Sequence, residues 1–409
     1  MHRFSLEKDK IKVLLLEGIH ENGLDFFHGN GYTNVEVVKK ALPEEELVKK
    51  IKNTHIIGIR SRTELTKQVL RNAKKLMAIG CYSIGTNQVD KITAKLMGIP
   101  VFNAPYSNTR SVAELVIAEC IMLMRGIAPK NNAAHVGKWL KSADNSKEVR
   151  GKTLGIVGYG HIGTQVSILA EAMGMNVCYF DIEKKLTLGN ATPCESLNMV
   201  LETADILTLH VPSTHMTKNM IGKKQISKMK KGAYIINASR GDVVDIEALC
   251  EALENQHLLG AAADVFPSEP ASGDEIFQTE LQKYDNVILT PHIGGSTEEA
   301  QANIGLEVSE KLVKYSDTGT TIGAVNFVEI SLQPNNLKQR FLHIHENVPG
   351  VLREINYVFT SRGINIASEY LQTDADIGYV IIDTDSELDK WVLKELKNIK
   401  HTIKARMVY

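Results

Sequence analysis

From residue 12 to about residue 103, short apolar runs alternate with amphipathic stretches. That alternation predicts strands at Val13–Leu16, Val35–Val38, Ile56–Ile59, Met77–Ile79 and Pro100–Phe102, with helices between them. One helix is expected to open at Pro43, a favoured first helical position, with Glu44, Glu45 and Glu46 at the positive end of its dipole. Strands that alternate with helices imply a parallel sheet covered by those helices. Two further helical stretches are predicted, one opening at Ser111 and a more polar one over residues 129–143. The second carries Trp139 beside Lys138 and Lys141, where an exposed indole suits an anchor for a partner subunit and an indole folded back on its own domain is the alternative.

The pattern changes at Thr153. An apolar run enters Gly158-Tyr-Gly160-His161-Ile162-Gly163, a helical period follows, and a second apolar run from Val177 ends at Asp181. Strand, GxGxxG, helix, strand and an acid about 20 positions on make the dinucleotide-binding signature. Gly158 permits the tight turn, Gly160 admits a pyrophosphate, and Gly163 lets the helix lie close to the strand. A carboxylate at Asp181 can accept both ribose hydroxyls and would repel a 2′-phosphate, which favours NAD over NADP.

Strands continue at Ile206–Val211, Ala233–Asn237, Gly260–Val265 and Val287–Thr290, with helices at Lys223–Lys230 and Ile246–Glu254. These complete a doubly wound, Rossmann-like nucleotide domain of six strands over residues 104–295. A helix over Thr297–Tyr315 and the segment Val325–Phe327 return the chain to the first domain. The flavodoxin-like substrate domain is therefore residues 1–103 plus 296–330. Residues 331–338 read as a polar linker without glycine, so no hinge is evident there. Over residues 336–409 the order is strand, helix, strand, strand, helix, strand, a ferredoxin-like βαββαβ domain whose open edge a second copy would cover.

A chain of 409 residues is too long for one core. Its net charge of −1 gives no attraction to nucleic acid or to an anionic membrane. Five scattered cysteines without a CxxC pair suggest reduced thiols. The N-terminus lacks an apolar signal core, and a cytoplasmic protein is expected.

Three polar residues follow strand ends in the nucleotide domain: Arg240, Glu269 and His292. The carboxyl ends of such a sheet line its ligand crevice, so the three are expected to converge there. Histidine suits the base for a hydroxyl proton, with Glu269 favouring its protonated form and Arg240 gripping a carboxylate. Taken singly, each is an ordinary loop residue. In the first domain, Arg60 and Arg62 flank Ser61 after a strand, and side chains at i and i+2 can reach one phosphate. A solvated arginine pair is the alternative reading. His343-x-His345 has no further metal ligand nearby and is not read as a zinc site.

GYGHIG at 158–163, NASRGDVVD at 237–245, DVFPSEP at 264–270 and LTPHIGGST at 289–297 strongly resemble the D-isomer-specific 2-hydroxyacid dehydrogenases. GIRSRTELT at 58–66, GCYSIGTNQVDK at 80–91, FNAPYSNTRSVAELV at 102–116 and HIHENVPGVL at 343–352 are similar to its short bacterial branch acting on 3-phosphoglycerate. The resemblance implies oxidation of 3-phospho-D-glycerate to 3-phosphohydroxypyruvate with NAD, the first step of serine synthesis. A C-terminal ACT domain that binds L-serine as feedback inhibitor and a homo-oligomer, a tetramer, are implied with it. Carried over by residue, Arg240, Glu269 and His292 are catalytic, and Arg60, Ser61, Arg62 and Asn108 contact substrate. Gly158, Gly160, His161, Ile162, Gly163, Asp181 and the wall His210-Val211-Pro212 hold the adenosine half of the cofactor. Ala238, Ser239, Arg240, Asp264, His292, Gly294 and Gly295 match the nicotinamide side. In the ACT domain, Asn347, Pro349 and Gly350 form a loop into a helix N-terminus suited to an amino-acid carboxylate. His345 adds a polar contact, and Asn365 would complete the site across a paired domain. Two other readings stay open: a dehydrogenase for another 2-hydroxy acid such as D-lactate or 2-hydroxyglutarate, and an NAD-sensing, corepressor-like scaffold.

Overall fold

The structure is a computed structural model that describes residues 6–270, 275–332, 339–385 and 390–408. The first sheet is β1 (Val13–Leu16), β2 (Val35–Val38), β3 (Ile56–Ile59), β4 (Ala78–Cys81) and β5 (Val101–Asn103). All its pairings are parallel, in the flavodoxin-like order β2-β1-β3-β4-β5. Its central strands are buried on both faces, which is why VLLL and IIGI read as continuous apolar runs. Helices α1 (Glu21–Gly29), α2 (Glu44–Ile51), α3 (Lys67–Asn72) and α4 (Lys91–Leu96) lie between the strands. Pro43 is the N-cap of α2 instead of its first residue, with the three glutamates in the first turn. Two strands also begin one residue later than expected, at Ala78 and Val101.

Helix α5 (Thr109–Arg125) is followed by α6 (Ile127–His135), not by a helix over 129–143. Gly126 and Gly137 take left-handed backbone (φ 58° and 77°), which ends one helix and prevents extension of the other. Trp139 therefore lies outside any helix and is 84% exposed.

The second sheet holds β6 (Thr153–Val157), β7 (Asn176–Phe180), β8 (Thr192–Pro193), β9 (Ile206–Leu209), β10 (Ala233–Asn237), β11 (Leu258–Ala263) and β12 (Val287–Leu289). Around it run α7 (His161–Ala172), α8 (Leu197–Thr203), α9 (Lys223–Ile226) and α10 (Ile246–Glu254). Its order is β12-β11-β10-β9-β6-β7-β8, so the winding reverses between β6 and β9, where an open α/β sheet binds its ligand. Among the described residues it has seven strands where six were expected. The extra one, β8, is two residues long, too short to leave a period. Helix α9 is shorter than Lys223–Lys230 because residues 228 and 229 bond three positions back in tight turns.

Helix α11 (Glu298–Thr318) leads back to the first sheet, where Val325 N–H bonds to Val101 O and Asn326 bonds the backbone of Lys91, Ile99 and Val101. The third sheet consists of β13 (Gln339–Glu346), β14 (Ile366–Thr373), β15 (Ile377–Thr384) and β16 (Thr402–Val408). It is antiparallel, in the order β14-β15-β13-β16, with α12 (Val351–Thr360) and α13 (Lys390–Asn398) between strands. The sequence pattern predicts the last helix over Leu388–Ile399; its start and most of the 331–338 linker lie outside the described residues.

One face of the third sheet packs Phe341, Val380 and Ile382 against Ile355 and Phe359 of α12 and Leu396 of α13. The opposite face places Leu342, Ile344, Tyr379 and Ile381 in one core with Phe102, Leu312, Tyr315 and Phe327. Polar ties reinforce this. Lys95 bridges Asp374 and Asp376 (2.7 Å each), and Lys404 Nζ donates to Leu76 O (2.6 Å). Buried Arg340 forks onto Asp383 (2.7 and 2.8 Å) and donates to Thr318 O. The chain forms two compact units, residues 1–107 with 301–409 and residues 108–300.

Candidate active site

In the unit of residues 108–300, β6 runs into Gly158, whose backbone has φ 91° and lies against His210, the residue after β9. A Cβ there would sit 2.3 Å from His210 O. A Cβ on Gly163 would sit 2.2 Å from Gly158 O, so glycine is what brings α7 onto β6. Gly160 differs: its Cβ direction meets nothing within 4 Å, and no side chain caps α7 there. An open glycine beside a bare helix N-terminus is what a pyrophosphate requires. Asp181 accepts from Tyr159 N–H (2.8 Å) and Glu183 N–H (2.9 Å), using part of its acceptor capacity and fixing its carboxylate at the end of β7. His210 bonds Thr208 Oγ1 through Nε2 (3.0 Å), and burial holds its ring neutral, near a pKa of about 3.

Past β11 the Asp264 carboxylate gathers the loop that follows β12. Its Oδ1 accepts from Thr290 Oγ1 (2.6 Å) and Ile293 N–H (2.8 Å), and its Oδ2 from Gly294 N–H (2.8 Å). This clamp presents His292, held at φ 54°, to Glu269, and Nδ1 lies 2.8 Å from Oε2. Glu269 Oε1 in turn accepts from Phe266 N–H (3.0 Å). The bond to Glu269 raises the His292 pKa against the opposing effect of burial; the charges of Glu269 and Asp264 assist and Arg240 opposes. Burial works against ionisation of Glu269, but the bonds from His292 and Phe266 N–H and the charges of His292 and Arg240 outweigh it and leave its pKa lowered. Each of the three is within the field of the others. Arg240 is steered by its own neighbours: Nη1 donates to Ser239 O (2.7 Å), and Asn237 bonds both Ser239 and the Arg240 carbonyl. Asn108, at the N-cap of α5, packs against Gly295, and its Oδ1 is buried without a hydrogen bond. Ala238 and Val211 are half-buried, and Pro212, next to Val211 in sequence, is exposed.

In the other unit, Ile59 ends β3 and the loop Arg60-Ser61-Arg62 is pinned from below by Glu17. That carboxylate accepts from the backbone N–H of Arg60 (3.1 Å), Arg62 (2.9 Å) and Thr63 (2.9 Å). Gln88 holds the Arg60 carbonyl (2.6 Å). Because Glu17 spends its oxygens on backbone, neither guanidinium is in an ion pair among the described residues. Glu17 was not singled out from sequence, although an acid directly after β1 is at the strand end where such a role is expected.

In the third sheet, His345 is 4% exposed, with its ring against Gly378 and 3.4 Å from His343 between Nδ1 atoms. Asn347 is exposed, and its amide donates to Asp374 O (2.6 Å). Asn365 is bonded to Asp385 (3.1 Å), apart from the other two. Gly350 takes φ 96° at the N-cap of α12, which has no side-chain cap.

A doubly wound parallel sheet with this glycine turn, and an imidazole–carboxylate pair beside an arginine at its strand ends, defines an NAD-dependent dehydrogenase. Residues 117–294 match the family described as D-isomer specific 2-hydroxyacid dehydrogenase, NAD binding domain, and residues 341–404 match the AHAS small subunit-like ACT domain. The D-3-phosphoglycerate dehydrogenases of Escherichia coli K12 and Haemophilus influenzae are 57% and 54% identical, each over 100% of both chains. The crystal structure of an Aquifex aeolicus D-lactate dehydrogenase complexed with NAD and lactic acid superposes with a TM-score of 0.64 at 27% identity. It covers 74% of this chain and 95% of its own. The chain belongs to the D-3-phosphoglycerate dehydrogenase family of D-isomer specific 2-hydroxyacid dehydrogenases.

Proposed function

We propose that this enzyme oxidises 3-phospho-D-glycerate to 3-phosphohydroxypyruvate with NAD, the first step of L-serine synthesis. The observation that carries the reading is the His292–Glu269 pair at 2.8 Å within the field of Arg240, at the strand ends of an NAD-binding sheet. Gly158, Gly160, His161, Ile162 and Gly163 would hold the pyrophosphate, and Asp181 the ribose. Asp264, Ala238, Ser239, Gly294 and Gly295 would line the nicotinamide. When bound, NAD accepts the hydride. His292 takes the substrate hydroxyl proton, and Glu269 stabilises the imidazolium so formed. Arg240 grips the carboxylate in a planar fork, while Arg60 and Arg62, with Ser61 and Asn108, meet the remainder of the substrate.

A lactate has no phosphate, so two guanidinium groups outside any ion pair among the described residues favour phosphoglycerate over a smaller hydroxy acid. L-serine is the proposed effector of the ACT domain, at the loop of Asn347 and Gly350 with His345 and Asn365. We read residues 1–103 with 296–330 as the substrate domain, 104–295 as the NAD domain and 336–409 as the regulatory domain. A cytoplasmic homo-tetramer fits both the exposed Trp139 and the exposed outer strand β14. Steady-state assays with 3-phosphohydroxypyruvate, 2-oxoglutarate and pyruvate, each with and without L-serine, test the whole reading. Preference for pyruvate over the phosphorylated substrate would overturn it.

A further inference from the structure

Helix α5 turns an apolar face toward the nucleotide sheet, with Val116, Cys120, Leu123 and Met124 buried along it. One acid interrupts that face. Glu119 is 1% exposed, and neither of its oxygens has a hydrogen-bond partner among the described residues. A carboxyl in such a wall loses its hydration without a replacement, which is costly unless its placement serves something else. Val112 and Leu115 of the same helix lie within van der Waals reach of the Gly294 Cβ direction, as does Asp264 Oδ2. Glu119 is one helical turn beyond Leu115 on that side. It therefore stands behind the clamp through which Asp264 holds Thr290, Ile293 and Gly294.

We propose that Glu119 is a positioning residue for the nicotinamide end of the site: an uncharged carboxyl that offers hydrogen bonding behind Asp264 without adding a second negative charge. The proposal rests on Asp264 serving the nicotinamide side. Burial, with the Asp264 charge as the second cause, pushes Glu119 up to about 8. Two desolvated carboxylates at close quarters do not both ionise readily, so a charge on Glu119 would weaken the hold of Asp264 on the loop that carries His292.

The other neighbours of α5 do not compensate. Strand β10 brings Tyr234, whose pKa is raised by burial, and β12 brings no titratable side chain. Helix α7 carries His161 and Glu171, and α6 carries Lys130 and His135, but only Asp264 contributes a charge at Glu119. Cys120, beside it on α5, is itself held protonated by burial. Because the folded pKa of Glu119 lies above its ordinary 4.5, the folded protein retains a proton that the unfolded chain releases. Stability is therefore lost as pH rises from that value through about 8.

NADH fluorescence titration of the full-length wild-type, Glu119→Gln and Glu119→Met enzymes, from about pH 6.5 to about pH 9.5, tests this. Wild-type affinity is expected to fall above about pH 8, reaching roughly tenfold per pH unit. Glu119→Gln should bind NADH several-fold more tightly than wild type at about pH 9. At neutral pH, Glu119→Met, which removes charge and polarity together, should bind more weakly than Glu119→Gln. The melting temperature of Glu119→Gln should gain on wild type as pH rises, and this decides the matter even if the methionine variant does not fold. An alkaline fall in Glu119→Gln equal to that of wild type, or equal NADH affinity in the glutamine and methionine variants, would overturn the proposal. Wild-type affinity for NADH at neutral pH reports separately on the cofactor site itself.

Discussion

At His292 a non-glycine backbone takes φ 54°, a conformation that costs on the order of 1–3 kcal/mol and is retained where the surroundings impose it. Here Asp264 imposes it, through Thr290 on one side and the Ile293 and Gly294 N–H groups on the other. His292→Gln should lower kcat by roughly 10²- to 10⁴-fold while NADH still binds, as single-turnover and fluorescence measurements can establish. The pH dependence follows from the direction of the His292 shift. Reduction needs the imidazolium, so the rate of hydroxypyruvate-type reduction should fall as pH rises through the raised pKa. Glu269→Gln removes the main cause of that rise and should move the fall to lower pH in a kcat/KM profile. The same shift stabilises the fold fully below the ordinary 6.5 and is lost as pH rises through the folded value; with His292 half exposed, this contribution is small. On the other unit, Arg62→Ala should raise KM for phosphoglycerate roughly 10- to 100-fold, from loss of charged hydrogen bonds. Full turnover at unchanged KM would instead return the arginine pair to a solvated loop.

The turn between β6 and α7 separates two kinds of glycine. Gly163 is required by packing, since any Cβ would press on Gly158 O. Gly163→Ala should cost about 1–3 kcal/mol of stability as α7 is pushed off the strand, visible as a lowered melting temperature. Gly160 is open, so Gly160→Val should leave the melting temperature of the ligand-free protein nearly in place and weaken NADH binding sharply. A matching fall in both quantities for both variants would remove the distinction. Elements also set what was legible. Two strands covered on both faces, β1 and β10, were readable to the residue, because parallel sheets demand unbroken apolar runs; β4, β9 and β11 were found with bounds shifted by one or two residues. The two-residue β8 and the end of α6 were not, since an edge pairing and a left-handed glycine leave no period.

Across the molecule, the third sheet is more than an appended module. Its inner face shares a core with Phe102, Tyr315 and Phe327, so removing residues 339–408 would bare Leu312 and its neighbours. Truncation should therefore destabilise the remainder, and the proposed L-serine response is better probed by Asn347→Ala in the intact chain. Two ion pairs here have unequal weight, one joining α4 to the third sheet and one inside that sheet between β13 and β15. Lys95 with Asp374 and Asp376 is partly exposed, and its removal should cost about 0–1 kcal/mol. Arg340 with Asp383 is 4% exposed on both sides, and Asp383→Ala should cost about 3–5 kcal/mol, because it takes the carboxylate from a buried guanidinium. Thermal melts of the two variants would separate these outcomes.

The linear order of residues was enough to determine the class of each sheet, the dinucleotide turn whose second strand ends before Asp181, and the candidate trio of Arg240, Glu269 and His292. Each is written as a local period or a short motif. Only the folded chain decided that Glu17 would pin the Arg60–Arg62 loop, that Asp264 would clamp His292, and that Glu119 would stand unpartnered behind it. It also decided that the ACT sheet shares a core with residues more than 200 positions away. The physical reason is the same throughout: a carboxylate's partners and a sheet's second face are chosen by what arrives from distant segments, and neighbours in sequence carry no record of it.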